Sequence, residues 1–188
     1  LKVINAGGAE FFKRGGEVFD LDDTVPYYGV TSREILKTLN LSIEKLKVKH
    51  PLHVHCNNLG LPGNIKTILE TINAAEGKKM HLAHVQFYGY SDKGKKGFSS
   101  GSLELSEAVN KNKNITIDVG QVMFKPTVTI SSDILRQFSA RSNAKPSKWV
   151  LSEVEDGGGG IVPYEYNENN YVNAMQWLIG LEIFLLVK

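Results

Sequence analysis

The sequence predicts an α/β protein built on a parallel sheet, and two observations lead to that prediction. Between residues 1 and 120, apolar strand-like stretches alternate with amphipathic helix-like stretches in the order strand, helix, strand, helix, strand, helix, strand. Such alternation is typical of parallel strands that are joined by crossover helices. The predicted strands are also nearly continuous in apolar residues, as expected of strands that are covered on both faces.

The first strand and the first helix are predicted from the amino-terminal pattern. Residues 1–6 are apolar enough to form a strand, and residues 9–30 follow as an irregular stretch with turn-forming sequences such as "DLDD". Thr31 and Glu34 have the spacing of a capping box, in which each side chain accepts a hydrogen bond from the other residue's backbone N–H. Apolar residues at helical spacing then predict a helix over residues 32–48.

Two further helices and three further strands follow in the regular part of the chain. Residues 52–56 are predicted as a strand, and Asn64 is predicted as the N-cap of a helix that Gly77 terminates. The remaining predicted elements of this part are a strand over 80–87, a helix over 102–110 and a strand over 115–120.

The pattern is looser over residues 121–188, although we assign the whole chain, residues 1–188, to one predicted domain. The glycines of "GGGG" suit a mobile or backbone-mediated contact, and no Gly-Lys-Ser/Thr follows them to indicate a phosphate-binding loop. The elements predicted here are a strand pair at 121–130, a short helix at 133–138, a glycine-rich loop at 155–166 and a mainly apolar, buried helix at 170–186.

Composition narrows the class of protein. A formal net charge of +2 over 188 residues is too small to indicate binding to nucleic acid or to a membrane surface. The sequence shows neither a signal peptide nor a convincing membrane-spanning stretch, and its single cysteine, Cys56, fits a reducing cytoplasm. The sequence starts at Leu1 within one apolar stretch and stops within another, so we expect a segment of a longer polypeptide.

All five histidines lie within residues 50–84, and this cluster is the main candidate for chemistry. His53 and His55 share one face of their predicted strand, because side chains on a strand alternate between faces. His84 lies near the end of the next predicted strand, and in parallel barrels the carboxyl ends of neighbouring strands gather the functional groups. His55 and His84 are therefore predicted to approach one point, where neutral imidazoles would suit zinc.

The histidines also have plainer interpretations. His50 precedes a proline and is predicted to be the polar end of a helix–strand loop, whereas His81 opens its strand and would cap it. His53 lies one pleat deeper than His55 and would support that residue rather than bind an ion itself. The alternative for the whole cluster is that it packs between helices without binding anything.

Lys2 is a further candidate ligand. It lies in an apolar strand, where burial of a lysine is unfavourable unless its charge is removed or paired. Reaction of the amine with carbon dioxide would remove the charge and create a carboxylate that can bridge two metal ions. The alternative is an exposed lysine at the start of the sequence.

Five stretches closely resemble the amidohydrolase-like subunit of formylmethanofuran dehydrogenases, which belongs to the amidohydrolase superfamily of metal-dependent barrels: "KVINAGG", "HVHCNNLGLPGN", "HLAHVQFYGY", "TIDVGQVMFKPTVTISSD" and "GGGGIVPYEYNENNYVNAMQWLIGLEIFLLV". The resemblance implies part of a distorted (β/α)8 TIM-like barrel, from about strand four onward. It implies two zinc ions bridged by carboxylated Lys2, with His55 and His84 binding the second ion. The family's first-strand His-x-His pair and its catalytic aspartate would lie outside residues 1–188.

The resemblance also implies a reaction and partners. The family forms a formyl amide reversibly from formate and the amine of methanofuran, and partner subunits with tungsten or molybdenum pterin and iron–sulfur centres supply the formate. By position, Asn57, Asn58 and Gln121 are candidates for substrate contact, and Met123 could line the channel. The alternative is that the two asparagines fix their loop, that Gln121 bonds within a turn and that Met123 packs in the core.

Two other functions stay open from the sequence. One is the homologous subunit of a formyltransferase/hydrolase complex of one-carbon oxidation, which has the same predicted barrel but different partners. The other is a non-catalytic scaffold of the same fold. The presence of Lys2, His55 and His84 argues against the scaffold.

Overall fold

A computed structural model describes residues 1–4, 18–59, 61–94, 99–120, 123–124, 127–130, 160–163 and 171–188. The elements within these ranges, in chain order, are β1 (Lys2–Ile4), β2 (Thr24–Val25), β3 (Val30–Thr31), α1 (Ser32–Lys45), β4 (Leu52–His55), α2 (Ile65–Ala74), β5 (Met80–Leu82), β6 (Tyr90–Ser91), β7 (Ser99–Ser100), α3 (Ser102–Lys111), β8 (Ile115–Ile117), β9 (Met123–Phe124), β10 (Thr127–Ile130), β11 (Gly160–Pro163) and α4 (Tyr171–Leu186).

A parallel sheet with the strand order β1-β4-β5-β8 forms the centre of the described structure. Each of its three strand pairs is parallel, and α1, α2 and α3 lie in the successive connections between its strands. The predicted α/β class with a parallel sheet is therefore confirmed.

One face of this sheet forms the hydrophobic core. Leu52 and Val54 of β4, and Met80 and Leu82 of β5, are at most 2% exposed. They belong to one cluster with apolar side chains of the helices, namely Leu36, Ile43, Ile65, Ile68, Ile72, Leu105 and Val109. Burial of an aliphatic side chain of this size contributes roughly 1.5–3 kcal/mol, so this face determines which side of each strand is turned towards the helices.

The predicted capping box begins helix α1. The Glu34 N–H donates to Thr31 Oγ1 at 3.2 Å, and the Thr31 N–H donates to Glu34 Oε2 at 2.8 Å. The helix ends at Lys45, before its predicted end, because Lys47 adopts a left-handed backbone with φ of 51°.

Asn64 lies at the N-cap position of α2, as predicted, but its side chain does not cap the helix. Its amide donates to the carbonyls of Asn58 and Phe87, both at 2.8 Å, and its Oδ1 accepts from the Tyr90 N–H at 2.9 Å. The backbone of Asn64 is already helical (φ −66°, ψ −9°), whereas a capping residue is usually extended. Asn64 therefore ties the loop after β4 to the turn after β5.

Strands β5 and β8 are shorter than predicted. β5 ends at Leu82, because His84 adopts a left-handed backbone (φ 36°, ψ 57°) and Val85–Phe87 form a 3-10 turn. β8 ends at Ile117. Apolar composition continues past both strand ends, and it does not distinguish a strand from a buried turn.

The region after residue 120 is confirmed in part. β9 and β10 form an antiparallel pair, as predicted for residues 121–130. The prediction of a loop is wrong for residues 160–163, because β11 pairs antiparallel with β10 and its backbone groups enter that ladder. The helix predicted at 133–138 and the glycines at 157–159 lie outside the described residues.

Helix α4 is buried along one stripe only, over the residues whose side chains are described, 178–186. Ile179 and Ile183 are at most 1% exposed, whereas Phe184 and Leu185 are each 79% exposed. The prediction of a buried helix therefore holds for one face and is wrong for the other, because only one face of α4 packs against α3 and the 3-10 turn. In the part of the chain described above, no helix combines the length and apolar character needed to cross a bilayer.

Replacement of Asn64 by alanine is expected to lower the free energy of unfolding by about 2–4 kcal/mol, because three buried hydrogen bonds between its side chain and the backbone are lost. Chemical denaturation measures this loss. The control Asn110→Ala removes an amide whose hydrogen bonds, to Leu186 and Lys188, are exposed. Its cost should stay below about 1 kcal/mol, and equal losses in the two variants would contradict the role given to Asn64.

Candidate functional site

The second face of the parallel sheet is polar. The pairing register aligns Lys2, His53, His81 and Thr116 in one row across β1, β4, β5 and β8. Strand residues alternate between faces, so this row lies opposite the buried core residues. All four side chains are at least partly exposed. The sheet therefore separates an apolar face from a polar face that carries imidazoles.

Four imidazole rings form a continuous cluster on this polar face. The ring centroids of His53 and His81 are 5.1 Å apart, and those of His53 and His55 are 5.2 Å apart. The rings of His55 and His84 meet edge to face, with centroids 4.4 Å apart. The structure thus brings together two of the three residues that the sequence analysis predicts as metal ligands.

His84 reaches the cluster through a backbone turn and not as a strand residue. It is predicted to lie within a strand over 80–87, but β5 ends at Leu82 and His84 lies beyond it. The left-handed backbone of His84 ends the alternation of side chains and directs the imidazole towards His55. This turn is the physical reason for the correction.

His55 has an unusual electrostatic environment. Burial lowers its pKa to about 4, and the neighbouring charges of His84, Lys2 and His53 contribute to the same shift. His55 Nε2 is buried and has no hydrogen-bond partner among the described residues. An unpaired buried polar atom carries a cost of roughly 1–3 kcal/mol, so a partner for this nitrogen would be stabilising.

The neighbouring rings of His53 and His84 are also held neutral. Burial is the main cause that lowers the pKa of each ring. The Asp118 carboxylate opposes this effect at both rings without cancelling it, and the Lys2 charge adds to it. Neutral imidazoles retain the lone pair that binds a metal ion.

Asp118 is a member of the site that the sequence analysis missed. Its Oδ2 lies 2.9 Å from His81 Nε2, and its Oδ1 accepts a hydrogen bond from the His84 backbone N–H at 2.7 Å. Burial raises the pKa of this carboxyl, but the hydrogen bonds from His84 and His81 outweigh burial, and the pKa lies below its usual value. The signal in the sequence was an aspartate in the second half of the strand predicted over 115–120, at the same sheet edge as His55.

His81 is the middle residue of β5, which corrects its interpretation as a cap of the strand. Its Nδ1 lies 2.9 Å from Thr116 Oγ1, while its Nε2 faces Asp118. Both ring nitrogens are engaged, so His81 could bind a metal ion only by losing a hydrogen bond. His50 lies exposed on the loop before β4, as predicted.

Lys2 is exposed, so the premise that its strand buries it is wrong. The reason is that β1 is an edge strand of the described sheet and turns Lys2 to the polar face. The Lys2 charge is nevertheless among the causes that lower the pKa values of His55 and His84. Carboxylation of Lys2 and its role as a bridging ligand stay predictions.

The two asparagines after β4 make hydrogen bonds within the protein. Asn57 Nδ2 donates to Ser32 Oγ at 2.9 Å, and Asn58 Nδ2 donates to Thr67 Oγ1 at 2.8 Å. Both side chains are buried, and these contacts support the interpretation that the asparagines fix their loop. Substrate contact stays a prediction for them. Gln121 and the side chain of Met123 are not among the residues and side chains that the structure describes.

The described residues fit part of a metal site. Among their histidine, cysteine, aspartate and glutamate side chains, no group of three is arranged to hold an ion. His55 and His84 fit two ligand positions, because they are adjacent and neutral and because His55 Nε2 is buried without a partner. Structural and catalytic zinc sites are four-coordinate. Lys2 and residues beyond the described ranges would have to supply the remaining ligands.

The metal-free protein is expected to lose stability as the pH falls from about 6.5 towards 4. The folded His55 ring has a pKa of about 4, so the unfolded chain takes up a proton over this range that the folded chain does not. The loss due to His55 should be about 1–2 kcal/mol after allowance for its partial exposure.

Denaturation curves at pH 7 and at pH values between these limits measure the effect. His55→Gln should flatten the pH dependence, and the control His50→Gln, outside the cluster, should leave it as in the unmodified protein. An unchanged pH dependence in His55→Gln would show that this ring is not the group that titrates.

No protein-family model matches the chain. Two curated proteins are similar to it: FhcA of the formyltransferase/hydrolase complex Fhc of Methylorubrum extorquens, at 49% identity, and the protein FwdA of Methanocaldococcus jannaschii, at 40%. These matches include 99% and 98% of this chain. The chain spans 35% of the length of each relative.

A solved structure is similar in fold as well as in sequence. It is the crystal structure of the formyltransferase/hydrolase complex FhcABCD of Methylorubrum extorquens in complex with methylofuran. The match has a TM-score of 0.74 and 46% identity, and it covers 100% of this chain and 35% of the other. Over its length, the chain is thus similar to about one third of one polypeptide of that complex.

Proposed function

We propose that the complete native polypeptide forms and hydrolyses the formyl amide of methanofuran or a related furan amine, as one component of a larger complex. The observation that carries this proposal is the buried His55 Nε2, which has no described hydrogen-bond partner and lies beside the His84 ring. The similarity to FhcA and to FwdA supports the reaction class. The methylofuran in the similar complex supports the class of substrate.

The site in this proposal holds two zinc ions within a TIM-like barrel of the amidohydrolase type. His55 and His84 would bind one ion, and carboxylated Lys2 would bridge the two. The other ligands would come from residues outside the described ranges. When bound, the ions supply Lewis-acid polarisation of the formyl oxygen and lower the pKa of a water molecule.

The proposed reaction is the reversible hydrolysis of an amide. Hydrolysis adds water to the formyl carbon, breaks its bond to nitrogen and yields formate and the protonated amine. Synthesis is the reverse. In either direction His55 and His84 have to keep their lone pairs at neutral pH, and burial ensures this by lowering both pKa values. Asn57 and Asn58 hold the loop beside these ligands, and Gln121 is a candidate for substrate contact.

Two kinds of complex are compatible with this reaction. In a formylmethanofuran dehydrogenase, partner subunits with tungsten or molybdenum pterin and iron–sulfur centres would reduce carbon dioxide to the formate that is consumed here. In a formyltransferase/hydrolase complex, the formyl group would arrive on the furan carrier and leave as formate. The higher identity to FhcA, 49% against 40% to FwdA, favours the second.

Alanine replacement of His55 or His84 in the complete polypeptide, assembled with its partners, is expected to lower formyl-amide hydrolysis by at least about 100-fold. Each variant should also lose stoichiometric zinc, because an imidazole ligand is removed. Release of formate from the formylated carrier and elemental analysis of the purified complex measure the two effects. The matched control His50→Ala, outside the cluster, should change neither.

Three results would contradict the proposal. Full hydrolysis by a zinc-free wild-type complex would show that the reaction does not need zinc. Full hydrolysis by the His84→Ala variant would show that this ring is not part of the site. A wild-type complex with neither zinc nor hydrolysis would indicate the scaffold. In a dehydrogenase, His84→Ala should leave formate production by the partners intact.

Purification of the native complex is expected to distinguish its two forms. Copurification of tungsten or molybdenum with iron–sulfur clusters would indicate the dehydrogenase. We expect neither, because the identity to FhcA is higher than the identity to FwdA. Mass spectrometry of the copurified chains and metal analysis of the same sample provide the measurement.

A further inference from the structure

We propose that Asp118 is a positioning residue that aims the His84 imidazole at His55, an inference that rests on the proposed function only for its effect on zinc. Asp118 does not face a substrate in this proposal and is not a metal ligand. It acts through the backbone of His84, which it holds in a conformation that the chain would otherwise avoid.

The backbone of His84 requires such a constraint. Its φ of 36° and ψ of 57° lie in the left-handed region, which is unfavourable by roughly 1–2 kcal/mol for a residue with a Cβ atom. A residue stays in this region only where its surroundings determine the conformation. Without the turn, His84 would continue the alternation of β5 and its ring would not reach the position beside His55.

Asp118 supplies the constraint through consecutive hydrogen bonds. Its own N–H donates to the Leu82 carbonyl at 3.1 Å, and its carbonyl accepts from the Val85 N–H at 3.0 Å. The His84 N–H, which lies between these two backbone contacts, donates to Asp118 Oδ1 at 2.7 Å. One residue therefore holds the chain before, at and after the turn, and the carboxylate is the part that acts on His84 itself.

The carboxylate is held in place from its other side. Asp118 Oδ2 lies 2.9 Å from His81 Nε2, and His81 Nδ1 lies 2.9 Å from Thr116 Oγ1. His81 thus orients Asp118, and Asp118 orients His84.

The geometry separates two roles of Asp118 that variants can test. Asp118→Asn keeps an oxygen that can accept from the His84 N–H, but it removes the negative charge. Asp118→Ala removes both. Asp92→Ala is the matched control, because it removes a carboxylate that accepts one hydrogen bond, from Lys66 Nζ at 2.8 Å, on the protein surface.

The experiment uses the complete polypeptide in its native complex and has two readouts. Amide hydrogen exchange at His84 reports the hydrogen bond with or without metal, and titration with zinc reports the affinity. In Asp118→Ala, exchange at His84 should become at least about tenfold faster, because a hydrogen bond to a charged group is lost. The dissociation constant for zinc should rise about 10–100-fold. Asp118→Asn should retain most of both properties, and Asp92→Ala should retain both.

Two outcomes would overturn the inference. One is rapid exchange at the His84 amide of the wild-type protein, which needs no variant and therefore does not depend on how Asp118→Ala folds. The other is an equal loss of zinc affinity in Asp118→Asn and Asp118→Ala, which would assign the effect to charge rather than to the hydrogen-bond acceptor. A protected His84 amide in a wild-type protein that binds no zinc would refute the proposed function and leave the positioning role intact.

Discussion

The in-register parallel pairing of β1, β4, β5 and β8 is the constraint on which the rest of the structure depends. Because side chains alternate along each strand, one register places Leu52, Val54, Met80 and Leu82 in the core and turns the imidazoles to the opposite face. A shift of β4 or β5 by one residue would turn histidines towards the helices and expose aliphatic side chains. Burial of the aliphatic face therefore fixes the positions of the strand histidines on the opposite face.

The cluster itself would be unfavourable if its members were charged. Four rings within about 5 Å of their neighbours would repel each other as cations, and partial burial removes this difficulty by keeping His53, His55 and His84 neutral. Asp118 then adds one negative charge at the carboxyl edge of the sheet. The result is a group of neutral imidazoles whose lone pairs can bind a metal ion, and His55 Nε2 is a buried nitrogen of this group that has no hydrogen-bond partner among the described residues.

The described sheet has β1 and β8 as its edge strands. Ile4, at the end of β1, is 67% exposed. Phe184 and Leu185, on the face of α4 that points away from the core, are each 79% exposed. The chain spans 35% of the length of the two curated relatives that it matches. Exposure of apolar surface is consistent with neighbours beyond the described residues.

The sequence by itself determined the α/β class and the strand–helix order, because these follow from periodicity. It also placed His55 and His84 towards the carboxyl ends of neighbouring strands, but the contact of their rings depends on the left-handed turn at His84. It also located the capping box of α1, which is a local hydrogen-bond pattern. It did not reveal Asp118, the engaged His81 or the contacts of Asn64 with Phe87 and Tyr90, since these contacts join residues more than twenty positions apart. Only the tertiary structure decided these, because left-handed turns and cross-strand contacts leave no period in the chain.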